Sequence, residues 1–401
     1  MKTFEKSIIK DICIITMLLY SILALSKMDY RPLEVGGLSC ILIISSYSII
    51  SKFFYKGDKF LLIIPLFITQ FGLIMIYRIN SALAFKQIVW FVLGLGIYMI
   101  IVIFLRDISR LEKFKYLYAI IAILLLSSTL FFGKEIKGSR NWLRIGKYSI
   151  QPSEIAKFFL IFYLASAIQD VKDFKDAVKI SIPVFICIGL LVVEKDLGAG
   201  LIFFGIFITM VYIGTSDYKF ILASLGVFIV GSIFSYFKFA HVRTRFAIWI
   251  DPWKDKYDKG NQICQSLLAI ASGGLFGTGL GLGHPEFIPE VHNDCIFAAI
   301  CEEFGLLGGT ALILLYLILV YRGLRAAINA KDNFSSLVAV GISSMIGFQV
   351  FVIIGGVIKM IPLTGVTLPF VSYGGSSMIL NFACLGVLQK ISEARRTVVY
   401  E

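Results

Sequence analysis

The chain has 401 residues, 58% hydrophobic and 16% charged, with a mean hydropathy of +0.86, far from the half-apolar, quarter-charged balance of a soluble domain. Its formal net charge of +12 has no soluble basic domain to sit on, which argues against nucleic acid as a partner. Long continuous apolar runs exclude an outer-membrane barrel of short alternating strands. Seven cysteines (Cys13, Cys40, Cys187, Cys264, Cys295, Cys301, Cys384) lie mostly in apolar runs without CxxC spacing and read as small buried hydrophobes.

A spanning helix needs ~20 apolar residues. Such segments fall at 8–26, 34–54, 59–78, 84–105, 115–133, 154–170, 179–195, 198–214, 218–237, 295–320, 335–358 and 376–392. The fold class is therefore all-α, a polytopic transmembrane bundle of about 12 spans. Lys2, Lys6 and Lys10 before an apolar run ending Ala24-Leu25-Ser26 resemble a signal peptide, but eleven further spans favour an uncleaved anchor. Cations collect in alternate loops: Lys52, Lys56 and Lys59; Arg106, Arg110, Lys113 and Lys115; Lys172, Lys175 and Lys179; Arg322, Arg325 and Lys331; Lys390, Arg395 and Arg396. The positive-inside rule then puts both termini in the cytoplasm.

Two outer segments depart from that rule. The loop "GKEIKGSRNWLRIGKYSIQP" carries Lys134, Lys137, Arg140, Arg144 and Lys147 against one acid, and the stretch from Lys238 to Asp294 carries six more cations. Outer-leaflet headgroups would attract them; so would an anionic, phosphorylated substrate handled on the outer face. No fixed-period repeat is present, and the chain reads as one membrane domain.

Four stretches carry candidate chemistry. In "QPSEIAKFF", Gln151-Pro152-Ser153 opens a helix, Glu154 sits where the helix dipole favours an anion, and Lys157 shares its face. That is either a cap with an interfacial ion pair or a piece of a substrate site. "EKDLGAG" places Glu194, Lys195 and Asp196 in a tight turn that reads, alone, as solvated. The Gly-rich "SGGLFGTGLGLG", residues 272–283, lacks the GK[ST] ending of a nucleotide loop, so no nucleotide cofactor is expected; its glycines suit an irregular segment that re-enters or packs closely. "IPLTGVTLPFVSYGGSS", residues 361–377, breaks helices beside polar clusters, as ordinary turns do and as binding cavities do.

The stretch "IPEVHNDCIFAAICEEFG" holds four acids. With a helix starting near Cys295, Glu302 and Glu303 lie roughly 10–12 Å deep at 1.5 Å per residue, suited to a cation, a lysine or their neighbours. Glu290 and Asp294 stay at the outer rim, and Asp294 is best placed to meet a substrate there. The three histidines (His241, His284, His292) show no zinc spacing, and no Ser/His/Asp set appears.

Together "GSRNWLRIGKYSIQPSEIAK", "EKDLGAGLIFF", "RFAIWIDPW", "QICQSLLAIASGGLFGTGLG", "IPEVHNDCIFAAICEEFGLLG" and "GVTLPFVSYGGSS" follow the order and spacing of the SEDS family, the shape, elongation, division and sporulation proteins; the resemblance covers about 59–396. It implies a core of 10 spans at 59–401, with outer loops at about 134–153, 238–294 and 359–376, preceded by an extra helix pair at 1–58. It further implies a peptidoglycan glycosyltransferase of the bacterial cytoplasmic membrane that polymerises lipid II into glycan strands for cell shape, division or sporulation. Its expected partners are a class B penicillin-binding protein (a transpeptidase), lipid II with the growing strand, and the bilayer.

The family's essential aspartate falls on Asp294, in a His292-Asn293-Asp294 motif where Asn replaces the usual Thr. A general base there would activate the attacking sugar hydroxyl. Arg140, Arg144, Arg243 and Arg245, or a divalent cation such as Mg or Mn, would steady the leaving diphosphate. Trp142, Glu154, Lys157, Asp196, Gln265, Ser266, Glu290, His292, Ser372 and Tyr373 complete the expected substrate site, with Glu302 and Glu303 as candidate metal ligands. A lipid II flippase or other transporter, and a non-catalytic scaffold of wall synthesis, are the alternatives; broken helices and intramembrane acids suit alternating access too.

Overall fold

The computed structural model describes residues 2–53, 57–136, 139–146 and 148–394. Lys56, Lys137, Lys147, Arg395 and Arg396 lie outside the described residues. All twelve expected spans are helices: α1 (Lys2–Lys27), α2 (Arg31–Phe53), α3 (Phe60–Ile79), α4 (Ser81–Phe104), α5 (Lys115–Phe132), α6 (Pro152–Ala167), α7 (Phe174–Val193), α8 (Leu197–Thr215), α9 (Tyr218–Lys238), α12 (Ile296–Ile328), α13 (Asn333–Val357) and α14 (Gly375–Glu393). Short polar residues start several of them. Asn80 caps α4, Asp173 α7, Asp196 α8, Asp217 α9 and Asp332 α13, each side chain accepting a first-turn N–H that has no partner within its helix.

Among the described residues, ten helices are long and apolar enough to cross a membrane. The other two expected spans, α6 and α14, are respectively 16 and 19 residues long and pack inside the bundle. Inside α14, Asn381 Nδ2 donates to Ser377 Oγ at 3.1 Å, a polar contact made within the protein. α3 and α13 are buried on nearly every face, which matches their all-round apolar sequences. α9 buries only Phe220 and Ser224.

The loops are more structured than a sequence reading allows. The 134–153 segment forms an antiparallel sheet of β1 (Lys134–Ile136), β2 (Ser139–Ile145) and β3 (Tyr148–Ile150), in register Lys134 to Trp142 and Leu143 to Ile150. The 238–294 segment contains α10 (Ala240–Ile250) and α11 (Asn261–Gly273). Strands of three residues and helices of 11 and 13 carry too little periodicity to read, because their stability comes from docking.

α12 is broken at Gly305, whose φ of 70° places it in left-handed backbone. The Gly-rich loop that follows α11 fills the break. Leu306 N donates to Gly274 O and Leu307 N to Leu275 O, while Thr278 N and Gly279 N donate to the carbonyls of Glu302 and Glu303. The backbone groups freed by the break are thereby satisfied by protein, as a spanning helix requires. Arg78 at the end of α3 locks the loop, donating to Gly281 O and Gly283 O at 3.2 and 2.9 Å and pairing with Glu303 at 3.1 Å.

The N-terminal pair packs on α3 at both ends. Glu5 accepts from Lys59 Nζ at 2.7 Å and from the Tyr47 hydroxyl at 3.1 Å, all buried. At the other end Lys27 Nζ donates to the carbonyls of Tyr77 and Arg78, both at 3.3 Å.

Candidate active site

Two of the three expected outer loops, 238–294 and 359–376, meet at one end of the bundle. Arg245 on α10 donates to Thr364 O at 3.0 Å, Trp249 Nε1 to Lys359 O at 3.1 Å, and Tyr373 N to His292 O at 2.8 Å. Ser372 Oγ donates to Asn293 O at 2.5 Å and accepts from Leu368 N at 2.9 Å. The 359–374 loop is therefore stitched to both sides of the 238–294 segment.

Asp294 sits half-buried in the turns that lead into α12. Gly365, with φ 75°, faces it so closely that a Cβ there would lie 3.5 Å from Asp294 Oδ2. A bare backbone beside a carboxylate leaves room for a ligand. Arg245 lies in the field of both Asp294 and Asp196; burial pulls its guanidinium below the ordinary arginine range and the two carboxylates oppose that shift. It stays charged, so it is a cation felt by both acids.

Asp196 is held from three directions. Its Oδ1 caps α8 through Ala199 N at 3.0 Å, and its Oδ2 accepts from Asn141 at 2.8 Å and Gln151 at 3.1 Å. The Glu194–Asp196 turn expected to be solvated is instead buried, because the β-sheet lies on it: Arg140 N donates to Glu194 O at 3.1 Å. Asp196 thus docks the strand that carries half-buried Trp142. Exposed Arg140 and Arg144 donate to Gly133 O and Gly146 O, and exposed Arg243 donates to Phe237 O.

Glu154 and Lys157 do not reach the surface. Lys157 Nζ donates to Glu154 Oε1 at 2.8 Å and Gln349 Oε1 at 3.1 Å, and Gln349 Nε2 donates to Thr367 O at 2.9 Å. Both members of the ion pair are buried, so they tie α6 and α13 to the 359–374 loop beneath Asp294's neighbours. At the rim, Asn293 Nδ2 donates to Glu290 Oε2 at 3.1 Å, His292 Nε2 lies 3.8 Å from the same oxygen, and the His292 ring meets Tyr373 edge-on at 6.0 Å. On α11, Gln265 is half-buried and Ser266 is buried with its hydroxyl on Gln262 O.

Glu302 and Glu303, the candidate metal ligands, face the loop that follows α11. Glu302 Oε1 accepts from His284 N at 3.0 Å, and Glu303 accepts from Gly281 N at 3.1 Å while pairing with Arg78. Among the described residues no group of three His, Cys, Asp or Glu is placed to hold a cation. Sequence reading missed Asn141, Gln151, Arg78, Thr364 and Gln349. Gln349 had a visible signal, an amide alone in the apolar run of α13; Thr364 acts through its carbonyl and had none.

A bundle of spanning helices with acids and arginines gathered at one end defines a multi-pass membrane protein that handles polar chemistry at a membrane face. The chain belongs to the FtsW/RodA/SpoVE family of cell cycle proteins, whose pattern matches residues 58–397. It is 34% identical over 381 residues to the peptidoglycan glycosyltransferase RodA of Mycobacterium tuberculosis strain H37Rv, covering 88% of this chain and 81% of that one. It is 36% identical over 361 residues to the stage V sporulation protein E of Bacillus subtilis, covering 84% and 98%. Among solved structures it resembles the rod shape determining protein RodA of Thermus thermophilus, with TM-score 0.64 and 28% identity over 85% of this chain and 98% of that one. A chain from a peptidoglycan synthase complex described as coordinating polymerization and crosslinking aligns with TM-score 0.71 and 28% identity over 84% and 97%.

Proposed function

We propose that this chain is a peptidoglycan glycosyltransferase of the bacterial cytoplasmic membrane that polymerises lipid II, with Asp294 as general base. Relatives bearing that activity in their names, at 34% identity across most of both chains, support the reaction class. One observation supports the base: a half-exposed carboxylate next to Gly365 and in the field of Arg245, where the 238–294 and 359–376 loops meet.

Asp294 takes the proton from a sugar 4-hydroxyl as that oxygen bonds to the anomeric carbon. The bond from that carbon to the lipid diphosphate breaks, and the diphosphate departs as an anion. Because that leaving group needs no proton, one carboxylate is enough, unlike the acid pair of a sugar hydrolase. Arg245 supplies the positive field for the diphosphate, and exposed Arg140, Arg144 and Arg243 are assigned to add to it. His292 and Tyr373, partly exposed beside the base, form the proposed sugar-facing wall, to which partly exposed Trp142 of the 134–153 sheet is assigned with them. Glu154, Lys157, Ser372 and Asp196 position those groups from behind.

A divalent cation such as Mg or Mn would add positive charge at the leaving diphosphate; chelation by EDTA with metal add-back measures that requirement. A class B penicillin-binding protein is the proposed partner, supported by the likeness to a synthase-complex chain. In a purified lipid II polymerisation assay with that partner, Asp294→Asn should lose at least about a hundredfold in rate while melting like the parent protein. Retained strand synthesis would remove Asp294 from the mechanism. Lipid II movement across vesicles that survives loss of Asp294 would favour a flippase.

A further inference from the structure

The N-terminal helix pair takes no part in the reaction above, yet it is built around a groove. α1 and α2 border an open groove of about 560 Å³ lined by Ile9, Cys13 and Met17 of α1, by Ile44 of α2, and by Lys6 and Lys10. Residues 6, 10, 13 and 17 recur at three or four and so share one helix face. The groove opens to the bilayer, since Ile44 is 50% exposed.

Charge decides the occupant. Glu5 is consumed by Lys59 and Tyr47 in the interior, and Asp11 is not part of the groove. Among the described residues neither Lys6 nor Lys10 has an acid within ion-pair distance. Two exposed, uncompensated ammonium groups therefore end an apolar trough. From Ile9 to Met17 the trough rises about 12 Å at 1.5 Å per residue, close to the roughly 15 Å hydrocarbon half of a bilayer. The trough is one leaflet deep, with its cations at headgroup level.

We propose that this groove binds one anionic phospholipid from the leaflet that holds the N-terminal end of α1, its phosphate on Lys6 and Lys10 and one acyl chain along Ile9, Cys13 and Met17. A zwitterionic lipid would bring its own ammonium to the same lysines and bind less well. A partner's spanning helix would bury both cations without an anion, which the observed charge disfavours.

The test is native mass spectrometry of the full chain released from detergent with added phosphatidylglycerol or phosphatidylcholine. The parent protein should keep one phosphatidylglycerol in preference to phosphatidylcholine. Lys6→Gln/Lys10→Gln should weaken that retention roughly 30-fold, from two interfacial cations at their usual strength, and Lys6→Arg/Lys10→Arg should restore it. Met17→Trp, which fills the trough and leaves both lysines, should also release the lipid, with unchanged thermal melting as the folding control. Equal retention of the two lipids, or undiminished phosphatidylglycerol on the Gln variant, overturns the proposal. So does a partner helix crosslinking to Ile44→Cys in place of lipid.

Discussion

Asp196 and Asp294 both act on the charge of Arg245, and their surroundings divide their work. Asp196 spends its oxygens on a helix cap and two amides, whereas Asp294 stands partly open beside Gly365. Glu194, two residues before Asp196, is a third case. It is fully buried, and burial pushes its pKa up to about 8 from 4.5, with a hydrogen bond from Thr129 opposing the rise and Asp196 adding to it. The folded protein therefore holds a proton that the unfolded chain has released between those two values. Glu194's contribution to stability is complete below the unfolded pKa, is lost as pH rises towards about 8, and changes no further above it. Melting temperatures measured from pH 5 to 9 should fall across that window, and Glu194→Gln, which mimics the protonated acid, should flatten the decline. An unchanged slope in Glu194→Gln would show that Glu194 is not the group responsible.

At the scale of elements, the break in α12 and the loop that fills it depend on each other. Gly305 uses left-handed backbone, and an added Cβ would press on the backbone of Leu275 and Gly277. Gly305→Ala should lower stability by about 1–3 kcal/mol. Arg78 is the other half of this joint. Arg78→Leu leaves Glu303 buried without its cation, an expected loss of about 3–5 kcal/mol, and should speed hydrogen exchange in residues 277–284 before other regions. Replacing both, Arg78→Leu with Glu303→Gln, should recover part of that loss, since no uncompensated charge remains.

Across the whole molecule, one buried chain of polar groups joins the bundle to its mouth: Glu154, Lys157, Gln349 and the Thr367 carbonyl. Lys157→Met should destabilise the protein by about 3–5 kcal/mol, because Glu154 is left ionised or is forced to take a proton. Asp294→Asn should leave thermal melting nearly unchanged. The contrast separates a residue that builds the site from one that acts in it, and both are read by the same pair of assays, melting and lipid II polymerisation.

The sequence by itself determined the spans, because ~20 apolar residues in a row leave a backbone few choices besides a helix in lipid. It also marked Asp294 as a rim acid, since the helix after Cys295 sets the depth of every residue near it. The tertiary structure decided the rest. Asp196 became buried only because a small β-sheet lies on its turn; Glu154 and Lys157 turned inward only because α13 supplies Gln349; Glu302 and Glu303 were claimed by a loop entering from α11. Those outcomes depend on partners distant in sequence, and polar groups in a low-dielectric interior take whichever partner the packing brings within reach.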